Sequence, residues 1–186
     1  MSLTVRLSDF VYEARDYRGI EVGAALNVML TTPMLGRATY DDVVGWFDIA
    51  QEPLQPVLAQ VEGATYAFAG QVRKHFLFEN PDLSIAYLLV DTPTPITLQA
   101  SEFDDLAPDV EEGDWVYGVT TLSLAWEDSL DLPLGQPIQA VIEDIRRLYL
   151  HPGPGFGLVQ SVHSLPPEPL GPDQVWLMIR TQIERR

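Results

Sequence analysis

Seven carboxylates crowd into thirteen residues of this chain: Glu102, Asp104, Asp105, Asp109, Glu111, Glu112 and Asp114. Oxygen donors at that density are what a Ca²⁺ ion collects, since it takes about six to eight of them. The spacing nevertheless lacks the Asp-x-Asp-x-Asp-Gly order, followed by a glutamate, that an EF-hand loop uses. Without any ligand, two unit charges about 7 Å apart in water repel by only about 0.6 kcal/mol, and salt reduces this further. A fold tolerates such repulsion. The run therefore reads as a solvated loop, as a protein-docking surface or, last, as a metal site, and no metal is assigned to it.

The other reactive residue types are sparse. His75, His151 and His163 show neither His-x-x-x-His nor His-Glu-x-x-His spacing. His151 is expected to sit at a helix end, where an imidazolium suits the negative pole of the dipole. His163 lies between hydroxyls in Ser161-Val162-His163-Ser164, but no Gly-x-Ser-x-Gly elbow marks a nucleophile. Gly153-Pro154-Gly155-Phe156-Gly157 looks like a phosphate loop. Such a loop opens a helix so that its N–H groups converge on the anion, whereas these glycines follow one. Cysteine is absent, which removes thiol nucleophiles, thiolate metal sites and disulfides, and fits a reducing compartment. No catalytic residue and no cofactor is assigned.

Charge placement is more informative than any motif. Residues 75–145 carry fifteen carboxylates and no lysine or arginine, so they hold fifteen of the sixteen net negative charges. An uncompensated negative field repels polyanions and membranes and attracts cations or basic proteins. Ten of the eleven bases are arginine and Lys74 is the one lysine. No apolar run approaches the roughly 20 residues of a membrane helix, and no secretory leader is visible. A cytoplasmic protein is expected.

The elements that must position these residues read as follows. Ser8 caps a first helix that ends near Gly19. The segment from Ile20 to Leu30 fits a strand or a helix. Thr39, with Asp41 and Asp42 at the positive pole, opens a second helix through Val43, Val44 and Phe47. A short third helix runs from Val57 through Leu58 and Val61 to Gly63. Beyond Thr65 the pattern turns to strands, including an apolar run, Ser84 to Val90, fit for burial on both faces. The stripe Ile138, Val141, Ile142, Ile145 and Leu148 marks a further helix. Short strands at Leu158–Val162 and Gln174–Ile183 close the chain.

Within 65–126, Gly70-Gln71-Val72, Leu88-Leu89-Val90-Asp91, Ile96-Thr97-Leu98 and Val110-Glu111-Glu112-Gly113-Asp114-Trp115-Val116-Tyr117-Gly118 follow one another. The order is similar to part of an oligonucleotide/oligosaccharide-binding (OB) barrel. That likeness implies architecture alone, because the barrel serves many unrelated functions. Stacking a single strand would also need a positive groove, and only Arg73 and Lys74 stand near the aromatics Tyr66, Phe68, Phe76, Tyr87, Trp115 and Tyr117. Nucleic acid is therefore disfavoured.

Strict alternation puts Trp115 and Tyr117 on one strand face. Burial in the barrel is the simpler expectation. Exposure beside the acidic run would instead make an aromatic, anionic patch suited to arginine-rich partners. The expectation is one α+β domain over 1–186, with a helical part over 1–63, a β-rich core over 64–126, and a helix and terminal strand over 136–186. The core is a small antiparallel OB-like barrel or curved sheet that recruits the C-terminal strand, with flanking helices. The expected function is non-enzymatic docking of a basic protein through Asp104, Asp105, Asp109, Glu111, Glu112, Asp114, Trp115 and Tyr117. The alternatives are an OB-like module for single-stranded nucleic acid or oligosaccharide, and a small metal-dependent enzyme or hydrolase using the acidic cluster with His75 or His163.

Overall fold

The helical stripe over 138–148 turns out to be a bulged strand, and wherever the expected flanking helices fall on described residues those residues form strands. The computed structural model describes residues 2–7, 20–37, 45–80, 83–101, 110–126, 138–148, 159–165 and 176–183. Among them are twelve strands and no helix: β1 (Ser2–Leu7), β2 (Ala25–Arg37), β3 (Gly45–Ile49), β4 (Val57–Glu62), β5 (Thr65–Asn80), β6 (Leu83–Asp91), β7 (Ile96–Ser101), β8 (Trp115–Thr121), β9 (Ser123–Trp126), β10 (Ile138–Leu148), β11 (Val159–Val162) and β12 (Trp176–Ile183). No described helix is long and apolar enough to cross a membrane. The chain divides into two compact units, one of residues 1–29, 123–130 and 137–186, the other of 30–122 and 131–136.

In the first unit, β12 lies antiparallel between β1 and β10. The other edge of β10 meets the start of β2 at Ile138–Val141 and β11 at Ile145–Leu148. β1 alternates as an amphipathic strand should, with Leu3, Val5 and Leu7 buried and Thr4 and Arg6 less so. The C-terminal strand pairs with β1 and β10, and β1 in turn meets β9 in parallel at Arg6 and Ser123.

In β10 the register shifts between Ile142 and Asp144, where two steps on β10 oppose one on β12. Ala140 and Ile142 are buried at a spacing of two, and the extra residue moves the next buried position to Ile145. A bulge adds one residue to a period-two pattern and so imitates the three-residue spacing of a helix. β4 is bulged as well, but its extra residue is exposed and adds no buried position. Its register shifts between Gln60 and Glu62, and the extra residue is Val61, one of the three that suggested a helix. Phe47, assigned to the second helix, is a buried strand residue of β3. The first expected helix, the residues 38–44 and the glycine run 153–157 lie outside the described residues, as does His151.

The second unit is a curled half-barrel. β5 is its spine, with β8 along one edge and β4 followed by β6 along the other. From β8 the pairings continue to β3 and β2, and from β6 to β7, which pairs with β2 in parallel. The path therefore leaves β2 through β3 and returns to it through β7. Two of these pairings are parallel, which departs from the antiparallel sheet expected. Inward positions alternate along β5 as Tyr66, Phe68 and Val72, all nearly inaccessible. Burying each such side chain stabilises the unit by roughly 1.5–3 kcal/mol.

β6 is buried on both faces from Ile85 to Leu88, as its unbroken apolar run suggests. β2 is irregular at Thr32-Pro33, where the register with β7 slips between Thr31 and Met34. Proline has no N–H to give a ladder, so a bulge suits it. Threonine hydroxyls take over the polar groups there. The Gln99 N–H donates to Thr32 Oγ1 at 3.1 Å, and Gln99 Nε2 donates to Thr31 Oγ1 at 2.8 Å.

Candidate functional site

The outer face of the half-barrel is where side chains remain available. Cross-strand partners share a face, so register alone defines its rows. One row reads Trp115, Gln71 and Asp91 across β8, β5 and β6. The next reads Asp48, Tyr117, Ala69 and Val57 across β3, β8, β5 and β4. The third reads Trp46, Val119, Ala67 and Ala59 across the same strands. A fourth reads Thr121, Thr65 and Glu62. Four strands cover about 14 Å, and each row lies about 7 Å from the next.

Solvated sheet faces are normally polar, so the chemistry of these rows is unusual. Val119, Ala67 and Ala69 are half-buried, Ala59 is exposed, and Tyr117 and Val57 remain 36% and 39% accessible. Trp46 and Trp115 are half-buried. The Trp46 and Tyr117 rings meet edge to face, with centroids 5.9 Å apart and planes at 88°. The edge of one ring carries partial positive charge and the face of the other partial negative charge, which fixes that geometry. The alanines between these rings and β4 leave a shallow trough.

β8 brings Tyr117 outward because Val116, Gly118 and Thr120 take the inward positions. Gly118 is required by a close approach. A Cβ there would fall on the Trp46 carbonyl oxygen and lie 2.8 Å from Phe47 Cα. The missing side chain lets β3 close against β8, and that contact seats Trp46 beside Tyr117.

Of the eight expected site residues, Asp104, Asp105 and Asp109 lie outside the described residues. Glu111, Glu112 and Asp114 form the turn leading into β8, and much of their polar capacity goes into the fold. Asp114 Oδ2 accepts from the Glu111 N–H at 2.8 Å, and Glu112 Oε1 accepts from the His75 backbone N–H at 3.3 Å. The Val72 N–H donates to the Asp114 carbonyl at 2.8 Å, the Gly113 N–H to the Val72 carbonyl at 2.9 Å, and Gln71 Nε2 to the Gly113 carbonyl at 2.9 Å. The turn is thereby fastened to β5 where that strand bulges at Arg73. Gly113 adopts φ +102°, a conformation side chains avoid.

Of the six aromatics named for stacking, Phe76 is half-buried on β5 and the others separate into two groups. Tyr66, Phe68 and Tyr87 are buried, while Trp115 and Tyr117 belong to the outer face. Burial also raises the Tyr87 hydroxyl above its usual pKa of 10.0. Trp46 was missed in the sequence because its neighbours suggested a helix; the local alternation of Trp46 and Asp48 against Phe47 is the signal that identifies it.

Charge on the face is one-sided. Asp48, Asp91 and Glu62 stand in its rows, and no lysine or arginine does. Nearby, Arg73 spends its guanidinium on Asp91, with Nη2 and Nε at 2.6 and 3.0 Å from Oδ2. His75 and His163 are both exposed, and the His163 carbonyl accepts from the Val22 N–H at 2.9 Å. Among the described residues no three His, Asp or Glu side chains are grouped to hold a metal ion. None of the known protein families, curated proteins or solved structures compared with the chain matches it.

Proposed function

We propose that this protein is a non-catalytic binding protein of the reducing cytoplasm. Its aromatic outer face on β3, β8, β5 and β4 docks a basic protein segment. The observation that carries this reading is the outward-facing pair of half-buried Trp46 and exposed Tyr117, in rows that hold carboxylates and no cation. Aromatic faces attract guanidinium and ammonium groups by about 0.5–1 kcal/mol each at exposed sites, and the carboxylates add charge-assisted hydrogen bonds. A phosphate backbone would instead meet Asp48, Asp91 and Glu62.

The test is a titration with an amidated octapeptide of alternating arginine and valine, followed by tryptophan fluorescence. Binding that weakens several-fold between about 50 and 200 mM salt, and that is lost when glutamate replaces arginine in the peptide, is the expected result. Equal affinity for the glutamate peptide, or a flat titration at low salt, would overturn the reading.

A further inference from the structure

The face has an open side, and it is a strand. Among the described residues β4 pairs with β5 alone. Five of its six residues are exposed; Leu58 alone turns inward. An unpaired strand presents a row of N–H and C=O groups ready to accept another chain. Proteins usually guard such edges with lysines, prolines or bulges. β4 carries no lysine. Its guards stand at the ends, with Pro53 and Pro56 before Val57 and the Val61 bulge near its close. Val57 to Gln60 is left as a regular, accessible ladder.

A second copy of this chain is a poor occupant, since each copy carries sixteen net negative charges. A cationic segment is complementary, with Glu52 before the strand and Glu62 at its end. Backbone bonds over four residues contribute only about 1 kcal/mol each, so side chains must supply the remainder. The register shows how. A strand added about 4.8 Å beyond β4 extends the rows of Val57–Ala69–Tyr117 and Ala59–Ala67–Val119–Trp46. Its alternate side chains then stand beside Val57 and Ala59, and long ones extend along the alanines in the direction of Tyr117, the nearer of the two rings. Arginine fits that path, with an apolar stem for the alanines and a planar cation for the rings.

We infer that the basic partner binds by strand addition to β4, laying alternate arginine or lysine side chains across Ala59, Ala67 and Ala69 toward Trp46 and Tyr117. This rests on the basic-partner reading and adds its mode.

The experiment uses the full chain and three forms of the arginine–valine octapeptide: unmodified, N-methylated at every arginine, and N-methylated at every valine. In an added strand, alternate amides face the host and the others face solvent. One methylated form should therefore lose at least tenfold in affinity while the other stays within about threefold of the parent. Amide exchange over Val57–Gln60 should slow in the parent complex. If both methylated forms bind alike, whether well or badly, strand addition is wrong while a basic partner stands. If the unmodified peptide fails to bind, both ideas fall together.

Discussion

Trp46 on β3 and Tyr117 on β8 stand perpendicular at 5.9 Å between centroids, two residues out of register and so diagonal neighbours on one face. Contact between them depends on both rings, so truncating either removes the same interaction. A double-mutant cycle of Trp46→Ala and Tyr117→Ala in urea should give a coupling energy of about 0.5–1 kcal/mol. Strictly additive losses would show that the rings are neighbours without being partners.

Gly118 and Gly113 are needed for different reasons, and alanine distinguishes them. Gly118→Ala drives a methyl into the backbone of β3 at Trp46 and Phe47, where no flexible side chain can yield. Overpacking of this kind costs about 1–3 kcal/mol, and here it should also displace Trp46. At Gly113 a methyl would touch nothing within 4 Å, and only the backbone at φ +102° is strained. Gly113→Ala should cost about 1 kcal/mol and leave the tryptophan spectrum unchanged. Equal costs with equal spectral changes would contradict this division.

Much of the second unit was legible in the sequence. The strands around Gly70, Leu88, Ile96 and Trp115 are bounded by strong turn chemistry, and their periods are clean. What misled was the bulge. Ile142 and Ile145 in β10 are three apart because one strand residue is unpaired, not because a helix has turned, whereas in β4 the unpaired residue is the exposed Val61 itself. A strand with one extra residue and a short amphipathic helix present nearly the same apolar stripe. β-branched composition, four of the five stripe residues from Ile138 to Leu148 being isoleucine or valine other than the final leucine, was the clue favouring a strand. Trp46 was hidden because Thr39, Val43, Val44 and Phe47 suggested a helix, and with it half of the aromatic pair. The acidic run was visible, but its structural use was not. A carboxylate that closes its own turn, as Asp114 does with the Glu111 N–H, looks in sequence like any other charge.

Tyr87 makes a prediction about pH. Its folded pKa is raised above 10.0 because burial penalises the phenolate. The unfolded chain therefore ionises first as pH rises. The contribution is complete below about pH 10 and is lost as pH climbs through the higher folded value. Tyr87→Phe has nothing to ionise there. The stability difference between wild type and variant should be constant up to about pH 10 and then shift in favour of the variant. A difference that stays flat to pH 11 in denaturant titrations would mean the hydroxyl is solvated.

The Arg73–Asp91 pair separates stability from binding. Its side chains are 57% and 42% exposed, so solvent screening leaves little net stabilisation. Asp91→Asn should cost less than about 1 kcal/mol in urea. It also releases an arginine at the corner of the outer face and removes one of its carboxylates. The affinity for the arginine–valine peptide should fall several-fold, and recover when Arg73 is also replaced by glutamine. Unchanged affinity in both variants would place the peptide away from the row of Trp115, Gln71 and Asp91.

Ala69 sits in the middle of the trough, opposite Tyr117 on one side and Val57 on the other. It is half-buried and points away from the core formed by Phe68 and its inward neighbours, so a longer side chain can extend over the surface. Ala69→Lys places a cation where the partner's cation would lie and fills the path its stem would follow. The fold should tolerate the change within about 1 kcal/mol, because the ammonium can reach water while the stem covers apolar surface. Binding of the basic peptide should fall at least tenfold. Ala69→Ser, small and neutral, should retain it. If lysine leaves the affinity intact while Tyr117→Ala abolishes it, the ring is being approached from the β3 side, and the route from β4 across the alanines is not the one taken.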